Sequence, residues 1–204
     1  MIKAMEAKEK YTLGLEMATD PRWADIASHH IRDILTDHAW CEQKAASSCI
    51  SLIIQYPDRV RLVETLTPIV AEEWAHFSRV LEELNKRGFT LGAARKDEYI
   101  EALMRVVKKG GSREQYLVEK LLMNAMVEAR SCERFRILSK NLSDKALCDF
   151  YHELMISEAG HYKSFLLLAK EYLPADRVME RWREWVAAEA DILRAIVPRG
   201  DRMH

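Results

Sequence analysis

Four glutamates and two histidines in this chain have the residue types and spacing to bind metal. They are Glu42, the pair Glu73 and His76, Glu128, and the pair Glu158 and His161. Reading in steps of three and four residues shows which neighbours share their helical faces. Glu42 falls in line with Leu35, His38, Ala45, Cys49 and Leu52, and Glu73 with Leu66, Ile69, His76, Val80 and Leu84. Glu128 lines up with Leu121, Ala125, Cys132 and Phe135, and Glu158 with Tyr151, Leu154, His161 and Phe165. Each carboxylate therefore sits on an apolar stripe, where burying an uncompensated charge is costly. Four such groups brought together repel one another, and two divalent cations are the simplest compensation.

The spacing supports a shared height. Glu42 and Glu73 are 31 residues apart with a break at Pro57-Asp58 midway, and Glu128 and Glu158 are 30 apart with a break over 141–143. Folded as antiparallel hairpins, each pair lies level, about 22 Å from its turn at 1.5 Å per residue. Each E-x-x-H pair places Glu and His one turn apart on one face, so both reach one ion. One Glu from each of two helices, plus E-x-x-H from each of the other two, is the ligand set of di-iron carboxylate bundles. A single E-x-x-H is weak evidence, because most glutamates in so charged a chain lie on solvated faces. Here both matches fall on core stripes. Two look-alikes do not: Asp149 with His152 points to the opposite side of its helix, and Asp201 with His204 is expected on a frayed end.

The elements that must position these ligands are helical. The chain has 204 residues, 49% of them hydrophobic and 31% charged, with seven Gly and five Pro, which suits one helical domain over 1–204 rather than disorder. Long helices are expected at about 29–56, 59–87, 113–140 and 144–172, capped at their starts by Asp58, Ser112 and Ser143 for the last three. Shorter ones are expected within 1–20, from Pro21 to Ala27 and at 97–109, and a final helix at 175–195 carries Trp182 and Trp185. Gly88 closes the second long helix. Pro68 lies inside that helix and predicts either a kink before Glu73 or a restart capped by Thr67.

A net charge of −1 excludes a global basic field, so any nucleic-acid contact must be local. Residues 1–10 carry no apolar run and the longest uncharged stretch is 45–57, too short to span a membrane. The four cysteines form no C-x-x-C pair and read as reduced thiols of a cytoplasmic protein.

Glu and His together suit iron or manganese, and no thiolate is needed. A pair of ferrous ions supplies electrons to O2 and thereby allows hydroxylation of an unactivated C–H bond. Two further electrons must then come from an external redox partner, because the sequence shows no flavin, haem or iron–sulfur motif. At the second long hairpin the likeness becomes specific. E-A-R-S-C-E-R-F over 128–135, with E-E-W-A-H at 72–76 and E-A-G-H at 158–161, resembles the bacterial tRNA hydroxylases (MiaE-like) of the ferritin-like superfamily. The resemblance covers about residues 20–195 and all six ligand positions. It implies an all-α, ferritin-like four-helix bundle with additional short helices in the crossover and at the C-terminus. It also implies two iron ions, O2 as co-substrate, and tRNA as the partner. The reaction implied is hydroxylation of the isopentenyl group of a methylthio-isopentenyl-adenosine beside the anticodon.

The rival reading of the same ligands is a ferritin-like iron store or peroxide-handling bundle. A large cage in solution would favour storage, a monomer or small homo-oligomer the enzyme. A metal-free interaction module is disfavoured by the carboxylates on core stripes. Around the ligands, His38, Asn124 and Cys132 are each one turn from a glutamate and are candidates for supporting it, although each also reads as ordinary core. Phe77, Phe135 and Phe165 are core residues that could wall a slot for a prenyl group. For tRNA, the densest basic stretch joins the two hairpins: Lys86, Arg87, Arg95, Lys96, Arg105, Lys108, Lys109 and Arg113, with Lys108, Lys109 and Arg113 beside Gly110 and Gly111 as the favoured contacts. Arg130 with Arg134 is a second candidate.

Overall fold

In a computed structural model, which describes residues 13–204, the chain is all-α. Its described residues form seven helices: α1 (Arg22–Ser28), α2 (Ile31–Gln55), α3 (Val60–Lys86), α4 (Glu98–Val106), α5 (Arg113–Asn141), α6 (Lys145–Tyr172) and α7 (Ala175–Ala195). The short helix expected within 1–20 is absent from 13–20, which are turn and irregular backbone, and otherwise falls on residues outside those described. The remaining expected helices are present, with ends within a few residues of the sequence reading.

The described chain divides into two compact units. One comprises Arg22–Asp97 together with Arg199–Met203, and its centre is the α2–α3 hairpin with α1 packed on α2. The other comprises the residues before Arg22, Glu98–Pro198 and His204. Its centre is the α5–α6 hairpin, against which α7 packs, while α4 packs on α7.

Each hairpin forms because its apolar residues recur at helical spacing. On α3 the buried residues include Leu62, Leu66, Ile69, Glu73, His76, Val80 and Leu84; on α6 they include Leu147, Tyr151, Leu154, Glu158, His161, Phe165 and Leu168. On α2 the register is slightly different from that expected, with Ala46 buried and Ala45 only half-buried. Gly160, in the middle of α6, is exposed, and a side chain there would meet nothing within 4 Å.

Helix ends correct two expectations. The second long helix has no side-chain cap: its N-cap is Arg59, and Asp58 pairs with that arginine at 3.5 Å. At α6 the cap is Asp144, whose carboxylate accepts from Leu147 N at 3.2 Å, and not Ser143. A carboxylate one position nearer the helix reaches the N3 amide and adds its charge to the helix dipole. The expected cap at Ser112 is present and forms a full capping box with Gln115. Gly88 closes α3 with φ of 72°, and the bonds Gly88 N to Asn85 O and Phe89 N to Leu84 O, both 3.0 Å, make a Schellman motif. Pro68 does not restart the helix: α3 runs through it, and Thr67 donates to Val63 O at 2.7 Å instead of capping a new helix.

Candidate metal centre

The α2–α3 hairpin brings three of the six predicted ligands together by itself. Glu42 comes from the middle of α2, Glu73 and His76 from the middle of α3, and all three are buried. One donor atom from each lies within 4.8 Å of the others. His76 Nδ1 is 3.4 Å from Glu42 Oε2 and 3.8 Å from Glu73 Oε2. One turn before Glu42, the imidazole of His38 has no solvent exposure, and its Nε2 lies 2.6 Å from Glu42 Oε1.

The α5–α6 hairpin repeats the arrangement. Glu128 from α5 and Glu158 and His161 from α6 are buried, with donor atoms again within 4.8 Å of one another. His161 Nδ1 is 3.2 Å from Glu158 Oε2. The same helices carry buried aromatic rings: Phe135 and Tyr151 meet tilted at 39° with ring centroids 5.4 Å apart, and Phe165 is buried. Asn124, at the place corresponding to His38, is half-buried. Cys132 is buried and its thiol donates to Met155 O at 3.4 Å; burial, reinforced by the Glu158 carboxylate, pushes it up to about 12. Of the three phenylalanines considered, Phe135 and Phe165 are core, and Phe77 is half-buried beside the exposed indole of Trp74, centroids 5.0 Å apart.

Each hairpin thus holds two carboxylates and one imidazole at a single buried spot. Without a cation, the carboxylates would repel and be desolvated together. Oxygen and imidazole donors, with no thiolate among them, are the set that iron or manganese takes. The donor chemistry fits two such ions, three protein ligands from each hairpin.

The look-alike pairs behave differently from these. Asp149 and His152 are exposed, and Asp149 pairs with Lys145 at 2.8 Å. His204 corrects the expectation of a frayed end: it is buried, stacks on Tyr99 at 5.2 Å, and shares a 3.0 Å hydrogen bond with Ser131 Oγ.

Much of the expected basic surface is already neutralised within the chain. Lys86 pairs with Glu83 at 2.7 Å, Arg87 pairs with the same carboxylate at 2.5 Å, and Arg95 pairs with Asp33. Lys108 pairs with Glu184 at 2.7 Å, and its backbone N–H donates to Glu119 at 3.1 Å. Arg105, Lys109 and Arg113 are exposed. Lys108, Lys109, Gly110 and Gly111 line one side of a cleft of about 340 Å³ whose other side is α7, with Arg177, Arg181 and Glu184. Both glycines have positive φ, 91° and 85°, so the loop turns sharply before the Ser112 cap. The second candidate patch does not exist as a surface, because Arg130 is fully buried and Arg134 is 6% exposed.

Arg130 instead anchors a buried ion network that sequence reading missed. Its guanidinium donates to both oxygens of Glu189 on α7 at 2.8 and 2.9 Å, to Glu133 at 2.9 Å, and to Met17 O at 2.9 Å. Arg181 similarly joins α7 to Glu119 at 2.6 and 2.8 Å and to Val106 O at 2.8 Å. The available signal was Glu189, a charge in helical step with the buried Trp182, Trp185 and Val186.

Comparison with known proteins gives one consistent picture. The family model for tRNA-(MS[2]IO[6]A)-hydroxylase (MiaE) matches residues 6–204. A Pseudomonas putida protein described as tRNA 2-(methylsulfanyl)-N(6)-isopentenyladenosine(37) hydroxylase is 38% identical, over 76% of this chain and 74% of that protein. A Salmonella typhimurium protein of the same description is 28% identical, over 78% of this chain and 75% of its own length. Among solved structures, a Synechococcus protein described as having aldehyde deformylating oxygenase activity is similar at a TM-score of 0.88. It is 32% identical, with 93% of this chain and 94% of that one covered. The fold class is the one expected, an all-α, ferritin-like four-helix bundle with additional shorter helices.

Proposed function

The chain belongs to the MiaE family of tRNA hydroxylases, and from that premise we propose that its two ligand sets together hold two iron ions in a single functional domain. The chain is an O2-dependent hydroxylase of the isopentenyl group on a methylthio-isopentenyl-adenosine beside the anticodon of tRNA. The rival iron-storage or peroxide-handling reading is not favoured.

The observation that carries the metal reading is the repetition of one buried donor set, Glu plus E-x-x-H, in each hairpin. Glu42, Glu73 and His76 serve one hairpin and Glu128, Glu158 and His161 the other. Ferrous iron held there would supply electrons to O2, so that one oxygen atom enters the prenyl C–H bond and the other leaves as water. The chain's own part is to hold four carboxylates and two imidazoles on buried helical faces that also carry apolar side chains such as Leu154, Phe135 and Phe165. Two electrons per turnover come from an external donor. No described helix is long and apolar enough to cross a membrane, which suits work on tRNA in the cytoplasm, as a monomer or small homo-oligomer.

For the tRNA backbone, the proposed contacts are Lys109 and Arg113, with Lys108 contributing only if it leaves Glu184. The exposed loop at Gly110 and Gly111 allows close approach of a phosphate.

The test is reconstitution of the purified chain with ferrous iron, followed by reaction with tRNA bearing the prenylated adenosine, O2 and a chemical reductant. The expected result is about two irons per chain and a nucleoside heavier by one oxygen atom. One iron or none, with binding unaffected by Glu128→Ala, overturns the metal reading. Two irons with no change in the nucleoside overturns the substrate.

A further inference from the structure

We propose that His38 is a positioning residue that fixes the orientation of the Glu42 carboxylate, holding Oε1 so that Oε2 is turned towards the other iron ligands. The inference rests on the reading of Glu42, Glu73 and His76 as iron ligands.

A glutamate carboxylate has two equivalent oxygens, and nothing in its own chemistry decides how it is turned. The fold decides here. His38 and Glu42 are one turn apart on α2, so their side chains meet on the same face. His38 is fully buried, Glu42 is 4% exposed, and the Nε2–Oε1 separation is 2.6 Å. With Glu42 ionised, as a ligand must be, Nε2 carries the hydrogen and donates it to Oε1. So short a bond to a charged acceptor is among the strong ones. The other oxygen, Oε2, faces His76 Nδ1 at 3.4 Å, which is the side where the remaining donors of the set converge. One oxygen is thereby anchored and the other is aimed.

The second hairpin differs at the matching place. Four residues before Glu128 stands Asn124, a neutral amide that is only half-buried. The two ligand sets are alike in their metal donors and unlike in what stands behind the lone glutamate. The two irons should therefore differ in affinity, and His38 should govern only one of them. Substitutions of groups that hydrogen-bond a metal ligand typically cost 10- to 100-fold in affinity.

The experiment uses the full chain, titrated with ferrous ion against a ferrous-selective chelator. Three forms are compared: wild type, His38→Gln, which keeps a donor within reach of Glu42, and His38→Phe, which keeps a ring and removes the donor. Wild type should take up two irons. His38→Gln should stay within about three-fold of it at both, while His38→Phe should lose at least about ten-fold at one and leave the other unchanged. A residue that merely filled the core would give the reverse order, because the ring is kept only in the phenylalanine form. Equal affinities in His38→Phe and wild type overturn the inference alone. Loss of one iron in His38→Gln also overturns it, by making the imidazole itself a ligand; this arm decides even if His38→Phe does not fold. A wild-type chain that takes up no iron overturns the metal reading and this inference together.

Discussion

Arg130 on α5 and Glu189 on α7 form a two-pronged ion pair with no solvent exposure on either side chain. Breaking it from one side leaves a buried charge without its partner. Arg130→Met should therefore destabilise the chain by about 3–5 kcal/mol, read as a shift in urea midpoint. Arg130→Met combined with Glu189→Leu should recover only part of that loss, because Glu133 still lacks its charged partner and keeps only the donors of Thr19. A single variant as stable as wild type would show that the pair contributes nothing.

Iron should stabilise the fold, since it binds the assembled ligands and not the unfolded chain. The melting temperature should rise on reconstitution and fall again with chelator. Glu42→Leu in the iron-free chain should be neutral or stabilising, because it replaces a desolvated carboxylate with apolar volume. A melting temperature indifferent to iron would count against ligands clustered at 4.8 Å or less.

The Cys132 thiol has a distinct alkaline signature. Its ordinary value is 9.0, and burial holds it up to about 12 in the folded chain. Between those values the unfolded chain has released the proton and the folded chain has kept it. Stability must fall as pH rises through this window, by about 1.4 kcal/mol per pH unit for this group. Cys132→Ala should flatten the slope of urea stability between pH 9 and 11 relative to wild type. Parallel slopes would mean that the thiol ionises as easily folded as unfolded.

Helix capping separates neighbouring residues cleanly. Asp144→Ala should cost about 1 kcal/mol, while Ser143→Ala should fall within about 0.5 kcal/mol of wild type. Equal losses at the two positions would contradict the hydrogen bond from Leu147 N to Asp144.

For tRNA, Lys109→Glu with Arg113→Glu should weaken binding across a range of salt concentrations and reduce the salt slope by roughly two. Iron uptake should be unchanged. Lys108→Glu should in addition destabilise the chain, by replacing the ion pair with Glu184 by a repulsion. Affinity unchanged at every salt concentration would remove this loop from the interface.

The sequence made the helices and the six candidate ligands legible for one reason: both signals are periodic. Glu73 and His76, or Glu158 and His161, stand out because a three-residue step on an apolar stripe is a strict condition that surface glutamates fail. What was not legible depends on distant partners. Arg130 and Arg134 look like a surface pair because nothing local announces that α7 covers Arg130 with Glu189. Asp58 and Ser143 look like caps because each stands where a cap is expected, yet backbone geometry gives the role to Asp144 at α6 and leaves α3 uncapped. The basic stretch looks like an open patch because Asp33 and Glu184, the partners of Arg95 and Lys108, lie far along the chain on α2 and α7; Glu83, within one turn of Lys86 and Arg87, was in local reach.

Gly160 gives the fold some slack. A glycine inside a helix costs roughly 0.5–1 kcal/mol relative to alanine, and here no neighbour would be disturbed by a larger residue. The position is thus an unused reserve of stability, next in sequence to His161 yet on the outer side of α6. It is also a natural attachment point for a reporter group. A label there would ride on the helix that carries two of the ligands without entering the core they share.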